Sequence, residues 1–427
     1  MSLSLLLLTF IVPLVIGVPV AIAIGIYSVI GLLMSHVPLS YVVQTAYSAV
    51  DSFTVIAIPM FILSGTLMEK GGLTRGLINF SSTLVGKATG GLAAVTIVAC
   101  TLFGAISGSG PATTAAIGTM LIPGMVKENY DKGFAGAITA CSGGIGVVIP
   151  PSILMIMYGI TAEQSITTLF IAGIVPGLLL GFFLYGAVYY ISKKRNYSAR
   201  EQDRSFKNIF KAAVDAKWGL LAPIIILGGI YSGVFTVTEA SVISVVYALI
   251  VGVFIYKELN WTKIMDSLMY SIRVAGTVML VLTTGRLLGR LLTMNQIPQV
   301  VSQALLNITH NPIILILLID VLLIFIGMWM ESITQIIILT PLLLPILMQL
   351  GVNPIQFGIM FTIACEIGYE TPPLGVNLFV ASELTDLPIE KITKEALIFA
   401  GAEIAALVVI SLIPQVSLFL PRLIGML

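Results

Sequence analysis

The sequence predicts an all-α polytopic membrane protein assembled from two copies of one unit. Of its 427 residues, 58% are hydrophobic and 10% are charged, and the mean hydropathy is +1.07. Soluble domains carry about 25% charged residues. Apolar runs of about 20 residues, the length of a bilayer span, recur along the whole chain. This composition excludes a soluble globular protein, and a net charge of +1 without a basic stripe gives no indication of nucleic-acid binding.

The two copies are visible in one duplicated stretch. Residues 141–157, CSGGIGVVIPPSILMIM, are matched by residues 365–381, CEIGYETPPLGVNLFVA. Pro372 lies 222 positions after Pro150, and this offset holds without a gap over about 30 residues. A constant offset over that length indicates an internal repeat.

Each copy interrupts an apolar run with glycine and a Pro-Pro pair. Proline lacks a backbone N–H and disfavours helix at the preceding residue, so an α-helix cannot pass through unbroken. In lipid, backbone groups freed in this way must face protein or a polar cavity. Paired interruptions in matching halves of a chain point to the binding site of a secondary transporter.

The remaining elements follow from the same pattern. Repeat 1 covers 1–192 and repeat 2 covers 218–427. Both should contain a re-entrant helical hairpin followed by a Gly/Pro-broken transmembrane helix. The predicted hairpins lie at 90–125 and 313–350, interrupted by SGSGP and MWMESIT, and the predicted broken helices lie at 133–159 and 355–384. Paired re-entrant hairpins favour inverted over parallel repeats.

Three further segments complete the organisation. Residues 3–34 lack a basic n-region and a cleavage site, so they predict one retained span, with a kink at Pro13 or Pro19. Residues 394–420 predict the last span. Residues 193–217 carry eight Lys/Arg against three Asp/Glu, and the positive-inside rule therefore predicts a cytoplasmic amphipathic linker.

With these motifs in view, the chain resembles the large membrane subunit of tripartite ATP-independent periplasmic (TRAP) transporters. The resemblance covers nearly the whole chain and is strongest in four stretches: DSFTVIAIPMFILSGTLMEKGG (51–72), FGAISGSGPATTAAIG (103–118), GIGVVIPPS (144–152) and ETPPLGVNLF (370–379). It implies a sodium-driven importer of organic acids in the bacterial inner membrane, with elevator-type scaffold and transport domains. It also implies two partners, a small membrane subunit and a periplasmic substrate-binding protein. The chain departs from the family pattern at Arg286 and Glu370, where the family often has other residue types.

Sodium sites are predicted where hairpin tips meet helix breaks. Exposed carbonyl and hydroxyl oxygens are hard ligands that suit Na⁺, and a positive helix end suits a carboxylate. The alternative for each tip is a tight packing turn. The first predicted Na⁺ site comprises Ser107, Ser109, Gly146 and Ile149. Repeat symmetry predicts a second site at Gly327, Gly368, Thr371 and Leu374. Na⁺ is the predicted coupling ion, and no organic cofactor is expected.

Substrate should bind between the two tips and the two breaks. The predicted contacts are Ser109, Gly110, Pro111, Arg286, Glu331, Ser332, Glu370 and Asn377. An intramembrane carboxylate costs about 2.5–3.5 kcal/mol at a helix centre, so Glu331 is functional by default.

Charged residues at the breaks leave alternatives open. Four roles stay open for Glu370: solvation at the break, pairing with an arginine, uptake of a proton, or binding of an amino group of the substrate. Arg286 compensates the charge of an anionic substrate or forms a salt bridge with Glu331 or Glu370. Arg290, four residues later, is expected to snorkel to the interface. Cys100, Cys141 and Cys365 are read as small buried hydrophobic residues.

Three other functions fit the sequence to different degrees. A channel would need tips of similar composition, and SGSGP and MESIT differ. An intramembrane enzyme would need a nucleophile–base or paired-acid constellation across the breaks, which the sequence lacks, so no enzymatic activity is expected. A stand-alone Na⁺/carboxylate symporter of the same superfamily stays open. Dicarboxylates, sialic acid and other carboxylates are all compatible substrates.

Overall fold

The computed structural model describes residues 3–197, 205–309, 311–373 and 375–427. Helices dominate throughout these ranges. The first half of the chain contains ten α-helices: α1 (Leu3–Val15), α2 (Val20–Met34), α3 (Leu39–Val50), α4 (Ala57–Lys70), α5 (Leu73–Val85), α6 (Gly91–Ser107), α7 (Gly110–Lys127), α8 (Lys132–Val148), α9 (Ile153–Thr161) and α10 (Ile166–Arg195). A short 3₁₀ turn, Phe53–Ile56, leads into α4.

The second half contains eleven α-helices: α11 (Phe206–Asp215), α12 (Lys217–Tyr231), α13 (Val237–Ile250), α14 (Trp261–Met294), α15 (Ile297–Ile308), α16 (Pro312–Gly327), α17 (Ser332–Gln349), α18 (Pro354–Tyr369), α19 (Val376–Thr385), α20 (Ile389–Leu412) and α21 (Pro414–Leu423). A π-helical turn, Val251–Ile255, follows α13. Helices α7 and α17 begin 222 positions apart, as do α8 and α18. The order of hairpin and broken helix predicted from the sequence therefore recurs in the structure.

The two predicted terminal spans differ from expectation because of proline. Residues 3–34 form two helices, not one, separated at residues 16–19, which include Pro19, one of the two positions where a kink was predicted. Gly17 has φ +84° and Pro19 is extended, so the helix ends and a new one starts. Residues 394–420 likewise divide at Ile413, which is extended because Pro414 follows and begins α21.

The helices pack as two groups. The inner group consists of α6–α9 and α16–α19, in which α8 contacts α6, α7, α18 and α19, and α18 contacts α16 and α17. Helices α10, α20 and α21 cover one side of it. The outer group consists of α2–α4 and α12–α14, in which α14 contacts α2, α3 and α4. The groups meet where α17 packs on α14 and α4 packs on α6.

Length and composition fit a membrane protein. In the described part of the chain, six helices are long and apolar enough to cross a bilayer, or up to nine if each bent helix pair counts as one span. The pair α8 and α9 is bent by 44° at the first Pro-Pro break. The predicted linker becomes the end of α10, residues 198–204 outside the described ranges, and then α11, which packs on α5.

Candidate functional site

The first hairpin tip is a short turn rich in hydroxyl and carbonyl groups. Gly108 ends α6 in the left-handed conformation at φ +61°, which glycine adopts without a Cβ penalty. Ser109 is extended, and Pro111 lies in the first turn of α7. The Ser107 and Thr113 hydroxyls are 2.6 Å apart, and Thr113 Oγ1 donates to the Ser109 carbonyl at 2.8 Å. These groups form one compact oxygen cluster.

The first helix break lies directly against this tip. Helix α8 ends at Val148, since Ile149 precedes Pro150 and is extended. The N–H of Ile153, beyond the break, donates to the Gly108 carbonyl at 3.4 Å. A Cβ on Gly108 would lie 2.5 Å from the carbonyl oxygen of Pro151. The tip and the break are therefore in backbone contact.

A glycine contact also joins α8 to this hairpin. A Cβ on Gly146 would lie 2.6 Å from Thr113 Oγ1 and 3.2 Å from the Gly104 Cα. Gly146 thus lies beside the oxygen cluster that contains Ser107. Of the first predicted sodium set, Ser107, Ser109 and Gly146 lie around this cluster, and Thr113 is a further hydroxyl that the prediction omitted.

The second tip and break repeat the arrangement with different side chains. Glu331 caps α17, because its carboxylate accepts from the Thr334 N–H at 2.9 Å and from the Thr334 hydroxyl at 3.1 Å. The Ser332 N–H donates to the Tyr369 hydroxyl at 3.1 Å. A Cβ on Gly368 would lie 2.6 Å from the carbonyl carbon of Gly327. The tip therefore packs backbone to backbone on α18.

The second predicted sodium set is described in part. Gly327 and Gly368 are in contact, as expected for residues of one site. The Thr371 hydroxyl donates its proton to the Ile367 carbonyl at 2.7 Å, which leaves its oxygen lone pairs available. Leu374 lies outside the described residues.

Both tips line one cavity of about 170 Å³. Ser109, Gly110 and Pro111 reach it from the first tip, and Glu331 and Ser332 reach it from the second. The broken helices contribute Val147, Ile153, Glu366, Tyr369 and Val376, and the outer group contributes Ile62 and Val274. The cavity therefore lies at the junction of inner and outer groups.

Two polar groups of this cavity have no hydrogen-bond partner within the described chain. Ser332 is 1% exposed and Glu366 is 5% exposed, yet Ser332 Oγ and Glu366 Oε2 are both unpaired. Buried polar atoms without a partner are costly. Their position in the cavity between the tips points to a polar ligand there.

A buried acidic cluster, Glu366, Glu370 and Glu403 with Cys141 and Asn377, lies behind the tips. One atom each of Cys141, Glu370 and Glu403 lie within 4.8 Å of one another. Asn377 Nδ2 is 3.5 Å from Glu370 Oε1 and 3.4 Å from the Ala140 carbonyl oxygen. A Cβ on Gly110 would lie 2.6 Å from Glu366 Oε2, which joins the cluster to the first tip. Among the described residues, no Lys or Arg forms an ion pair with these carboxylates.

The predicted substrate residues therefore occupy three places. Five of them, Ser109, Gly110, Pro111, Glu331 and Ser332, line the cavity between the tips. Glu370 and Asn377 lie in the acidic cluster behind it. Arg286 lies elsewhere, in two cavities formed with α3 and α9. It forms no ion pair with Glu331 or Glu370, so the salt-bridge alternative is absent from the structure. Arg286 lies twelve residues along α14 from Val274, which lines the tip cavity.

The sequence pattern did not indicate Glu403 or Thr113, for different reasons. Glu403 lies on α20, 33 positions after Glu370, and its neighbours are set by helix packing that no local pattern encodes. Thr113 could have been found, since it lies four residues after Ser109 in the first turn of α7. On a helix, that spacing brings a hydroxyl back to the tip carbonyl.

The fold and site define a multi-pass membrane permease. The model of the tripartite ATP-independent periplasmic transporter family, DctM component, matches residues 7–416. The chain belongs to this family, and it is a multi-pass protein of the bacterial inner membrane.

Relatives with different named substrates are similar over nearly the whole chain. The isethionate TRAP transporter permease protein DctMQ of Oleidesulfovibrio alaskensis is 42% identical over 95% of this chain and 64% of its own length. The C4-dicarboxylate TRAP transporter large permease protein DctM of Vibrio cholerae is 37% identical over 99% of this chain and 98% of its own length. The sialic acid large permease SiaM of Vibrio cholerae is 36% identical over 95% of both chains.

A solved structure shares the fold at low sequence identity. The YdaH transporter of Alcanivorax borkumensis superposes with a TM-score of 0.63 at 14% identity, covering 88% of each chain. This likeness concerns the architecture alone.

Proposed function

We propose that this chain is the large permease of a sodium-coupled importer of a small organic anion. The anion binds in the cavity between the two hairpin tips, and Na⁺ binds where each tip meets its helix break. The observation that carries the proposal is the convergence of both tips and both broken helices on one cavity that contains unpaired polar groups. The sequence has no GxxxxGK[ST] loop, so an ion gradient is the proposed energy source.

The donor atoms at the tips suit Na⁺. The first cluster offers the Ser107 and Thr113 hydroxyls and the Ser109 carbonyl, all neutral oxygens. The second offers the Thr371 hydroxyl beside the Gly327–Gly368 backbone contact. Neutral oxygens and unwound backbone are the usual ligands of coupling ions in transporters with broken helices. In this proposal Na⁺ is the coupling ion, and these residues bind it.

The proposed movement is an elevator displacement of the inner group along the outer group, within two inverted repeats. Val274, which lines the tip cavity, and Arg286 lie on the same helix, α14, twelve residues apart. At about 1.5 Å per residue this separation is about 18 Å. A displacement of that order would carry the cavity from the level of Val274 to the level of Arg286.

Two partners complete the proposed transporter. The isethionate relative has DctMQ in its name, and this chain spans 64% of its length. The remainder is long enough for a second membrane subunit, and we propose that this chain pairs with a separate small subunit and a substrate-binding protein. Isethionate, C4-dicarboxylates and sialic acid, the substrates named for the relatives, are the substrates to test first.

Uptake in proteoliposomes tests the function. The chain is reconstituted with its small subunit, and radiolabelled isethionate, succinate and sialic acid are offered with and without the binding protein. We expect saturable uptake of one of them, driven by an inward Na⁺ gradient and abolished when K⁺ replaces Na⁺. Equal uptake with either cation would refute sodium coupling, and uptake independent of the binding protein would favour the stand-alone symporter.

Sodium binding tests the ion sites directly. Radioactive sodium binding is measured on purified protein carrying Ser107→Ala or Thr371→Ala. Each variant should lose affinity at one site because it removes one hydroxyl oxygen. The control is Thr96→Ala, a buried threonine of α6 whose hydroxyl bonds to the Leu92 carbonyl at 2.9 Å, away from the tip. Wild-type affinity and stoichiometry in both test variants would exclude these sites.

A further inference from the structure

Two adjoining cavities of about 430 and 460 Å³ lie between the outer group and α9. The two cavities share five lining residues: Ser48, Ala49, Ile160, Glu163 and Arg286. We name the combined space of both cavities the arginine vestibule. Arg290 lines the first cavity as well. Neither cavity includes a residue of the hairpin tips, so the vestibule is separate from the proposed transport site.

The vestibule carries a net positive charge. Arg286 and Arg290 lie four residues apart and therefore on one face of α14. Neither forms an ion pair within the described chain. Arg290 lies 5.5 Å from the centre of the Tyr41 ring, and Glu163 lines both cavities without pairing with Arg286. Two arginines against one glutamate leave an excess of one positive charge.

Hydroxyl groups surround these charges. Thr45, Ser48 and Thr161 line the first cavity, and Ser52 and Thr167 line the second. Guanidinium groups donate in a planar fork that matches carboxylate and sulfonate oxygens, and hydroxyls can add single hydrogen bonds. An unpaired cation within a membrane helix is costly unless water or an anion reaches it. This lining suits a small organic anion.

The vestibule lies at the end of α14 away from the cytoplasmic linker predicted from the sequence. The N-terminal end of α14 lies near α4 and α5. Lys70 of α4 lies 3.9 Å from Asp266 of α14, and Arg75 of α5 lies 3.7 Å from Glu258, just before α14. Helix α5 in turn packs on α11 of the linker. With the linker on the cytoplasmic side, as its charge predicts, the vestibule lies toward the periplasmic side, from which a binding protein would deliver its substrate.

We propose that the arginine vestibule is a second, outer binding site for a small carboxylate or sulfonate anion, distinct from the cavity between the tips. Its place on the import path rests on the proposed function. Its ability to bind an anion does not, because it depends only on the charge and lining of the vestibule. Arg286 and Arg290 hold the anion, and Glu163 limits its affinity so that the anion can leave.

Thiol chemistry measures the electrostatic potential of the vestibule without any transport assay. The three native cysteines are buried, so Ser48→Cys provides one accessible thiol in both cavities. The purified protein, in nanodiscs of phosphatidylcholine, is treated with anionic sulfonatoethyl methanethiosulfonate or cationic trimethylammonioethyl methanethiosulfonate. The anionic reagent carries the same ethylsulfonate group as isethionate. The ratio of the two reaction rates reports the local potential.

Charge changes on the Ser48→Cys background give opposite expected results. Arg286→Gln should lower the anion-to-cation rate ratio about fourfold, the effect of one charge about 10 Å away in water. Glu163→Gln should raise the ratio by a similar factor. Arg273→Gln is the matched control, since Arg273 is on α14 but lines neither cavity, and the ratio should stay unchanged. The Glu163 variant keeps the test valid if loss of an arginine impairs folding.

Protection by ligands identifies the site as a binding site. Isethionate or succinate should slow modification of Ser48→Cys, and Arg286→Gln should abolish that protection. A rate ratio insensitive to both Arg286→Gln and Glu163→Gln would overturn the proposal. Protection by anionic lipid but by neither organic anion would also overturn it, and would assign the vestibule to a headgroup. None of these results depends on sodium coupling or uptake.

Discussion

The contact between the second hairpin tip and its broken helix can be tested with one methyl group. A Cβ on Gly368 would lie 2.6 Å from the carbonyl carbon of Gly327, 2.7 Å from its Cα and 3.0 Å from its oxygen. All three atoms belong to the backbone, which cannot rotate aside as a side chain would. Gly368→Ala must therefore push the tip away from the break.

The size of the effect follows from two opposing terms. Alanine stabilises a helix interior by about 1 kcal/mol relative to glycine. Overpacking costs about 1–3 kcal/mol, and a backbone clash belongs at the upper end. The control is Gly401→Ala on α20, where a Cβ meets nothing within 4 Å, so that only the favourable term acts. The two variants should differ by about 3 kcal/mol in stability.

Thermal unfolding of the purified protein in detergent measures this difference. For a chain of this length, about 3 kcal/mol corresponds to about 3 °C in Tm. We expect Gly368→Ala to unfold below the wild type and Gly401→Ala to unfold at or above it. Gly368→Ala should also bind radioactive sodium less tightly than Gly401→Ala. Equal Tm values for the two variants would refute the close backbone contact.

Three further changes probe other parts of the structure, each by thermal unfolding. Glu403→Gln should raise the free energy of unfolding by about 1–2 kcal/mol. The change removes one of three buried carboxylates that have no cationic partner, and it supplies an N–H donor to unpaired oxygens. A lower Tm would show that the carboxylate has a partner. Thr236→Ala should lower stability by about 1 kcal/mol because it removes a capping box. In that box the Thr236 hydroxyl accepts from the Glu239 N–H, and the Glu239 carboxylate accepts from the Thr236 N–H. Thr236→Ser should keep most of the stability, and an equal loss in both variants would contradict the capping role. Arg195→Gln should lower stability by about 0.5–1 kcal/mol because it breaks a partly exposed ion pair. In this pair Arg195 Nη2 lies 2.9 Å and 2.8 Å from the two carboxylate oxygens of Glu395. The loss of stability should shrink at high salt, and a salt-independent loss would indicate a packing effect.

Local sequence rules anticipated where the helices end. Proline predicted both central breaks, since α8 stops at Val148 before Pro150 and α18 stops at Tyr369 before Pro372. The same rule acts at Pro19, where a kink was predicted and a new helix begins instead, and at Pro414, where the last predicted span divides. Hydrophobic length alone does not indicate either division.

Tertiary neighbours were less accessible from the sequence. The internal repeat pairs Ser109 with Glu331 and Gly110 with Ser332, and all four residues line one cavity, because a duplicated unit brings equivalent tips together. A salt bridge from Arg286 to Glu331 or Glu370 was one of the alternatives that the sequence left open, yet α14 carries Arg286 about 18 Å along the helix from Val274. Glu403 joins Glu370 through packing of α20 on α8 and α18, and no periodicity in α20 marks it. Sequence alone identifies the breaks, whereas the long helices decide which charges face them.

Cross-linking between the tips tests the central claim that both hairpins converge on one cavity. Ser109→Cys and Ser332→Cys are combined, and native membranes are treated with a short bifunctional thiol reagent; the three native cysteines are buried. We expect an intramolecular cross-link that slows when Na⁺ and the transported anion are added together. The pair Ser109→Cys and Ser232→Cys, with Ser232 at the end of α12 and outside both the tip cavity and the arginine vestibule, should not cross-link. Absence of a link between residues 109 and 332, with both thiols reactive individually, would contradict the account.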